Sequence, residues 1–429
     1  MKARSAFFPL ILTLVSLLGA CKTPVALKVQ ASPVPIVATV KVGALLDLSG
    51  SYADGAQAVK AGLEVALEDL NKRPGSPPFE LVIKDAATDP EVALAKLKEL
   101  DAQGIKLVVG PTTSADFAAV KDYALNHDIL MLSPSTTAPS LALVDNVIRF
   151  SPVDTLQTRA LFELWYSRGI KAVSVLYRDD VWGRDFEKEI EQCAEIYSMR
   201  YLGGEKYATN ATDFKNSLAR LGDKVKPAIA EFGNDKVAVE LVSFNELENI
   251  FPQAAEDAAL SSIKWYGCSG NALIPVLAAD NPASRFAASN GFTCSNFLNS
   301  FDAGDTSATR SLLIPDQASL KSRIDQKLNR NPVEYAYTAY DALWVAALAY
   351  EKGGFGDFKA LKENLFLVSG EFVGASGKVQ LNSQGDRSSA CFAFSKVISS
   401  QGNHSWQRTA TYNDSVDPQS DNRLTFVNP

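Results

Sequence analysis

GPTTSADFAAVKDYALNHDILMLSPSTTAP, Gly110 to Pro139, decides how the chain folds. It leaves an apolar strand, Lys106-Leu-Val-Val-Gly110, and passes through Pro-Thr-Thr-Ser into a helical segment, Ala115 to Asn126. A second apolar strand, Ile129 to Leu132, ends in Ser133-Pro-Ser-Thr-Thr-Ala-Pro139. Two consecutive strands therefore each end in a cluster of hydroxyls followed by a helix start. In parallel α/β sheets, ligands sit outside the carboxyl ends of the strands. Hydroxyls and free N–H groups at helix starts suit an anion. The same Ser and Thr residues also serve as N-caps and turn formers, so both readings stand at this point.

Working outward, the alternation of strand and helix continues on both sides. Val40 to Leu48 is a buried-strand pattern, followed by the loop Ser49 to Gly55 and a helix with Val59, Leu63, Ala66 and Leu70 on one face. Phe79 to Lys84 is a strand. Asp89-Pro90 is a helix start, with Asp as N-cap and Pro at the first helical position. After a strand at Val147 to Phe150 the pattern restarts. A helix at Thr155 to Arg168 leads to a strand at Lys171 to Tyr177, then Arg178-Asp-Asp-Val-Trp-Gly183 and a long helix. Further strands are expected near Met199 to Tyr207, at Pro227 to Phe232 and at Ile263 to Gly267. Helices are expected at Asp213 to Leu221 and Asp235 to Leu247. The predicted fold class is α/β, with two halves that are each a small doubly wound parallel sheet. Gly291 to Leu298 reads as a strand crossing back to the first half. Helices follow at Pro315 to Asn329, Pro332 to Lys352 and Phe358 to Val368, and late strands at Lys378 to Leu381 and Cys391 to Ile398.

The chain has 429 residues with 46% apolar and 21% charged content, an ordinary globular composition long enough for two or three domains. Lys2 and Arg4 precede an apolar run, Ala6 to Leu18, too short to span a bilayer comfortably. Small residues at a cleavage point follow, so residues 1–20 read as a secretory signal peptide. Leu18-Gly-Ala-Cys21 resembles the bacterial lipobox, which implies cleavage before Cys21 and its acylation. Residues 21–39, rich in Pro, Ala and Val, read as the tether. Removing Lys2 and Arg4 leaves 40 basic residues against 49 acidic ones, so the formal charge goes from −7 to −9. That balance argues against a nucleic-acid partner.

Metal, cofactor and catalytic motifs are not found. Cys193, Cys268, Cys294 and Cys391 form no CxxC pair, and His127 and His404 are the two histidines. No GxGxxG with the right spacing, Walker A, GxSxG or HExxH occurs. The expectation is a binding protein without a cofactor or metal, not an enzyme. An exported chain permits disulfides. Cys268 and Cys294 flank one short helical excursion, Asn271 to Asn290, so they are the expected pair.

Taken together, several stretches resemble the type I solute-binding proteins of ABC importers, the leucine/isoleucine/valine-binding kind. They are Val42-Gly-Ala-Leu-Leu-Asp-Leu-Ser-Gly-Ser-Tyr-Ala53, Lys84-Asp-Ala-Ala-Thr-Asp-Pro90, Val109 to Ser114, Leu132 to Pro139, Tyr177 to Gly183, Asp213-Phe214 and Tyr340-Asp-Ala342. The resemblance implies two lobes joined by three crossovers. Residues 40–150 with 296–388 would form one lobe and 151–295 with 389–408 the other, leaving 409–429 as an irregular tail. It implies that Ser114 and Thr137 hold an amino acid's carboxylate and that Ser135 offers its carbonyl. Trp182 would move from solvent to close over the ligand, with Asn234 a second contact. The family's amino-acid binders carry an acid where this chain has Ser269; Glu231, Asp235 or Asp179 are candidate substitutes for pairing an ammonium. The implied partners are a small carboxylate ligand, ABC permease subunits, and the membrane through the lipid on Cys21. The implied location is the outer face of the cell envelope. The same fold also serves envelope lipoproteins that activate peptidoglycan synthases, and sensors, which is the alternative function.

Overall fold

Strand β1, Val40–Leu46, lies next to the edge of a six-stranded sheet, and every pairing in that sheet is parallel. In the computed structural model, residues 38–299, 317–330, 333–354, 357–415 and 423–427 are described. The expected signal peptide, Cys21, most of the tether, and the predicted helix starts at Pro315 and Pro332 lie outside the described residues. The first sheet continues with β2 (Phe79–Asp85), β3 (Leu107–Val109), β4 (Leu130–Ser133) and β5 (Val147–Pro152). Between these strands run α1 (Ala53–Asn71), α2 (Pro90–Asp101) and α3 (Ser114–Asn126). As expected, Asp89 caps α2, accepting from the N–H groups of Glu91 and Val92 at 2.9 and 3.3 Å, with Pro90 behind it.

The chain then builds a second sheet. Helix α4 (Asp154–Ser167) leads to β6 (Ala172–Arg178), α5 (Val181–Ile196), β7 (Arg200–Tyr207), α6 (Lys215–Phe232), β8 (Val237–Val242), α7 (Leu247–Ala254), β9 (Lys264–Gly267), α8 (Pro282–Asn290) and β10 (Thr293–Phe297). It returns to the first sheet with α9 (Gln317–Leu328), α10 (Tyr335–Gly353) and α11 (Phe358–Glu371). The short strands β11 (Val373–Gly374), β12 (Gly377–Lys378) and β13 (Asp386–Arg387) follow, and β13 pairs with β5. Strands β14 (Cys391–Ser400), β15 (Asn403–Asn413) and β16 (Leu424–Phe426) finish the second sheet, whose order is β16-β15-β14-β10-β9-β8-β6-β7. The chain passes between the two sheets three times: after Pro152, after Phe297, and between Arg387 and Cys391.

Helices cover both faces of the inner parallel strands, so β3, β4, β5 and β8 are buried along their whole length and do not alternate, while the edge strands β2 and β7 are only half-buried. Helix α10 is buried around nearly its whole circumference, from Tyr335 to Ala349. It fits against α1 because residue 62 is glycine: a Cβ there would stand 2.0 Å from the carbonyl oxygen of Ala336.

Several sequence expectations need correction. Pro227 does not precede a strand. Helix α6 runs through it, because Leu218, Leu221, Val225 and Ala228 keep helical spacing on the buried side while Pro227 is exposed. The strand is Val237–Val242, where a helix was expected. Its polar member Glu240 is wholly buried. Strand β10 does not cross back; it pairs with β9 and β14 through Phe297, in the second sheet. That sheet is also not purely parallel, since β14, β15 and β16 are antiparallel. The region read as an irregular tail from 409 carries the end of β15 and all of β16. Gln401 (φ 52°) and Gly402 (φ 80°) turn the β14–β15 hairpin, and successive positive φ values suit the right-handed twist of paired strands.

Cys268 and Cys294 are free thiols, not a disulfide. Cys294 stands in register with Gly267, so Cys268, one residue further, points to the opposite face of the sheet. Their surroundings agree: Cys268 packs into the core on one face and Cys294 into the core on the other.

Arg149 on β5 fastens the returning chain. Its Nε donates to Asp386 Oδ1 at 2.5 Å and its Nη1 donates to the Ala138 carbonyl at 2.8 Å, with both side chains buried. Removing one member of a buried pair strands the other charge, which typically costs about 3–5 kcal/mol. Asp386→Ala is therefore expected to lower the unfolding free energy by about that amount in urea titrations. A loss under about 1 kcal/mol would mean that the pair does not hold β13 to β5.

Candidate functional site

The carboxyl ends of the parallel strands in both sheets converge on one cleft. Between them lies a cavity of about 20 Å³, the room of a single water. Thr112, Thr113 and Ser114 reach it from the β3–α3 loop, Ser135 and Thr137 from the loop after β4, and Tyr52 from the loop after β1. The second sheet contributes Trp182 at the start of α5, Phe244 after β8, and Ser269 and Gly270 after β9; Tyr335 opens α10. Of the residues singled out from sequence, Ser114, Ser135, Thr137, Trp182 and Ser269 come together here. Asn234 does not. It lies in a helical turn before β8, at the opposite end of that strand from the cleft. The strand had been placed ten residues too early, and the aromatic that follows its true end is Phe244.

Ser114 is not a helix cap. Thr113 is the N-cap of α3, its hydroxyl accepting from Asp116 N at 3.4 Å. Ser114 Oγ instead reaches across to the neighbouring loop and accepts from the N–H groups of Thr137 and Ala138, each at 3.2 Å. Two N–H groups and a hydroxyl thus converge at one point. Ser135 Oγ donates to the carbonyl of Thr112 at 2.7 Å, which locks the two hydroxyl-bearing loops together.

Trp182, expected to start in solvent, is already inside the cleft at 4% exposure. It stacks on Phe244 with ring centroids 4.8 Å apart and planes 8° from parallel, and Tyr52 meets the same Phe244 at 4.7 Å. On the far side of Phe244, which also faces the Arg178 guanidinium at 4.3 Å, a larger cavity of about 340 Å³ opens toward Thr88, Asp179 and Arg184. Cavities of that size hold small organic ligands. Phe244 and Thr113 border both spaces.

An acid that sequence reasoning missed sits at this site. Asp154, the first residue of α4, accepts from Trp182 Nε1 at 3.0 Å, and the Thr137 hydroxyl lies beside it. Its other oxygen, Oδ1, is buried with no hydrogen-bond partner. Burial pushes its carboxyl up to about 7 against the pull of Thr137, Trp182 and the more distant Arg149, with Glu189 adding to the rise. None of the candidate substitute acids occupies this place. Glu231 is exposed and paired with Arg200, Asp235 is exposed near Lys264, and Asp179 is held by Arg184 and Lys206 at the rim of the larger cavity. Only a sequence signal as slight as Ser-Pro-Val-Asp154 at a helix start preceded it. Ser269, on the other wall, donates to Gln157 Oε1 at 3.3 Å, one turn further along α4.

Residues 39–403 match the family model described as periplasmic binding protein. An uncharacterized protein of Methanocaldococcus jannaschii is 28% identical over 381 residues, covering 83% of this chain and 87% of its own. The leucine-, isoleucine-, valine-, threonine- and alanine-binding protein of Pseudomonas aeruginosa is 24% identical over 360 residues, covering 81% and 87%. The crystal structure of the leucine-binding protein LivK of Thermotoga maritima has the same fold, with a TM-score of 0.71 at 19% identity over 87% of this chain and 99% of that one.

The raised carboxyl of Asp154 makes a prediction about stability. The folded chain holds a proton there that the unfolded chain releases near its ordinary value of 3.8. This contribution is full at low pH and is lost as pH rises through about 7. Asp154→Asn is therefore expected to gain stability relative to wild type progressively between about pH 4 and about pH 7. Urea unfolding at a series of pH values measures this, and parallel curves for the two proteins would refute it.

Proposed function

The chain belongs to the periplasmic binding protein family, and from that footing we propose that it captures an amino acid or a related small carboxylate in this cleft and delivers it to an ABC importer. The single observation that carries the proposal is the convergence of Ser114 Oγ with the N–H groups of Thr137 and Ala138. These are neutral donors gathered in a site screened from water, where several together can replace the hydration of a carboxylate. Trp182 and Phe244 fill the space beside them, so a ligand enters by displacing those rings. Withdrawing Phe244 would merge the small cavity with the larger one behind it. In this reading Asp154 takes the role of the acid that Ser269 cannot fill, offering its unpartnered oxygen to the ligand's ammonium. The protein works outside the cytoplasm, and acylation of Cys21 would hold it at the envelope surface.

Thermal-shift screening against amino acids and their des-amino analogues is the first experiment. A ligand that binds only the folded state stabilises by about 2.7 kcal/mol at a hundredfold excess over Kd. Calorimetry then separates the roles. Hydrogen bonds to a charged group contribute roughly 1.5–3 kcal/mol, so Ser114→Ala is expected to weaken leucine and isocaproate alike by about 10- to 150-fold. Asp154→Asn should weaken leucine and spare isocaproate. Unchanged affinity in Ser114→Ala would sink the carboxylate clamp, and equal losses for both ligands in Asp154→Asn would remove Asp154 from the ammonium.

A further inference from the structure

Behind the binding loops, two carboxyl groups are buried face to face. Asp47 follows β1 and Asp116 lies in the first turn of α3; both are fully buried. Asp47 is tied to its surroundings. Its Oδ1 accepts from Thr88 N at 2.6 Å, its Oδ2 accepts from Thr112 Oγ1 at 2.6 Å, and its own N–H donates to Thr112 Oγ1 at 3.0 Å. Each partner passes the connection on. Thr88 Oγ1 donates to Ser49 O at 3.1 Å and accepts from Tyr52 N at 3.2 Å, while the Thr112 carbonyl receives Ser135 Oγ at 2.7 Å. The loops after β1, β2, β3 and β4 are thus joined through one carboxylate. Asp116 is different. Its side chain faces Asp47, with the Thr113 hydroxyl nearby, yet neither of its buried oxygens has a partner at hydrogen-bond geometry.

Two ionised carboxylates cannot share a buried site of this kind, because each is desolvated and repels the other. We infer that Asp47 and Asp116 share a single proton, and that this proton holds the four loops lining the cleft in their binding arrangement. Asp116 is then the proton's carrier and Asp47 the acceptor that positions the loops; neither needs to touch ligand. The direction of the perturbation agrees: burial, then the charge of Asp47, pushes Asp116 well above the usual carboxylate range. Burial also raises Asp47, opposed by Asp116, Thr112 and Thr88. Other charges around the pair reinforce retention of the proton. Asp85 and Asp89 face it from the β2–α2 side, and Tyr52 from the α1 side. Across the cleft, Arg178 and Arg184 are already occupied by Glu246, Asp180 and Asp179. Loss of the shared proton would set two negative charges against each other and drive Thr112 and Thr88 apart.

That these loops bind ligand rests on the function proposed above, so the test reads the loops both without and with a ligand. In the full-length protein carrying carbon-13-labelled aspartate, the Asp116 carboxyl carbon is expected to titrate far above the ordinary carboxylate range. Titration in the ordinary range overturns the inference, and this measurement stands even if substitution prevents folding. Amide hydrogen exchange, corrected for intrinsic rates, should show protection of residues 110–114 and 133–138 falling as pH rises through the range in which the Asp116 carboxyl carbon titrates. In Asp116→Asn the amide donates in the proton's place, so protection should fall less steeply with pH than in wild type, keeping only the dependence that Asp154 gives both proteins; a slope equal to wild type overturns the inference. With leucine as probe, the ratio of wild-type to Asp116→Asn affinity should fall by up to about tenfold per pH unit, the limit for one linked proton, because the contribution of Asp154 is common to both proteins; a ratio constant with pH overturns the inference. If the exchange result holds and leucine binds at no pH, the positioning role stands and the choice of ligand fails.

Discussion

The carboxylate of Asp47 is the point from which the cleft side of the first sheet is suspended. Parallel strands all end on the same side of a sheet, so their connecting loops arrive together with unsatisfied backbone groups. One acceptor with two oxygens can meet donors from two loops at once. Asp47 does so with Thr88 and Thr112, at 2.6 Å each, and the hydroxyls of Thr88 and Ser135 carry the connection to the remaining two loops. The position of Ser114, and with it the donor cluster at Thr137 and Ala138, follows from that suspension. On the other side of the same loops, Arg149 takes the Ala138 carbonyl and anchors it to Asp386.

Acids that are wholly buried recur through the molecule, and they divide by what satisfies them. Asp341 on α10 accepts from the N–H groups of Ala375 and Ser376 and from the Ser376 hydroxyl, a fully used carboxylate that fixes the turn between β11 and β12. Glu246 is met by Arg178 and by Phe244 N. Glu240, in the middle of β8, has no partner for either oxygen, and burial raises it well above the usual range, so the chain carries it neutral. Asp154 stands between these cases, with one oxygen bonded to Trp182 and the other buried without a partner, behind the Trp182 and Thr137 side chains that line the cavity. Partial satisfaction next to a cavity is the combination that points to ligand recognition; a buried acid alone does not.

Aromatic side chains hold the two sheets together across the cleft. Tyr52 from the first sheet and Trp182 from the second both lie against Phe244, and the Arg178 guanidinium covers it as well. Polar contacts beside them include Arg178 to Ser51 and Asn245 to Asp54, both part-buried, and Ser140 N to Asp185, which is exposed. Under the proposed function, a ligand that displaces these stacked rings would let the two halves part and close again.

Much of this was legible in the chain. Apolar runs, glycine and proline punctuation and the Asp89-Pro90 cap report on neighbours a few residues away, and those settled the α/β alternation, the start of α2 and the hydroxyl loops at Ser114 and Thr137. Where local signals conflicted the reading slipped. Pro227 to Phe232 reads as a strand and Asp235 to Leu247 as a helix, whereas the chain is helical through Pro227 and extended at Val237–Val242, and the misplaced strand put Asn234 where Phe244 belongs. Periodicity tells which way a side chain points; it does not tell what stands opposite. Cys268 and Cys294 were close in the chain but on opposite faces of the sheet, because register assigned Cys294 to Gly267. Asp154 beside Trp182, and Asp47 against Asp116, unite residues from separate elements whose desolvation exists only once the sheets are packed. The sequence by itself determined the α/β alternation, the elements of the first sheet and the hydroxyl loops, because those are local preferences. Only the tertiary structure decided which acids lose water and which of them keep a proton, because burial is a property of the packed chain.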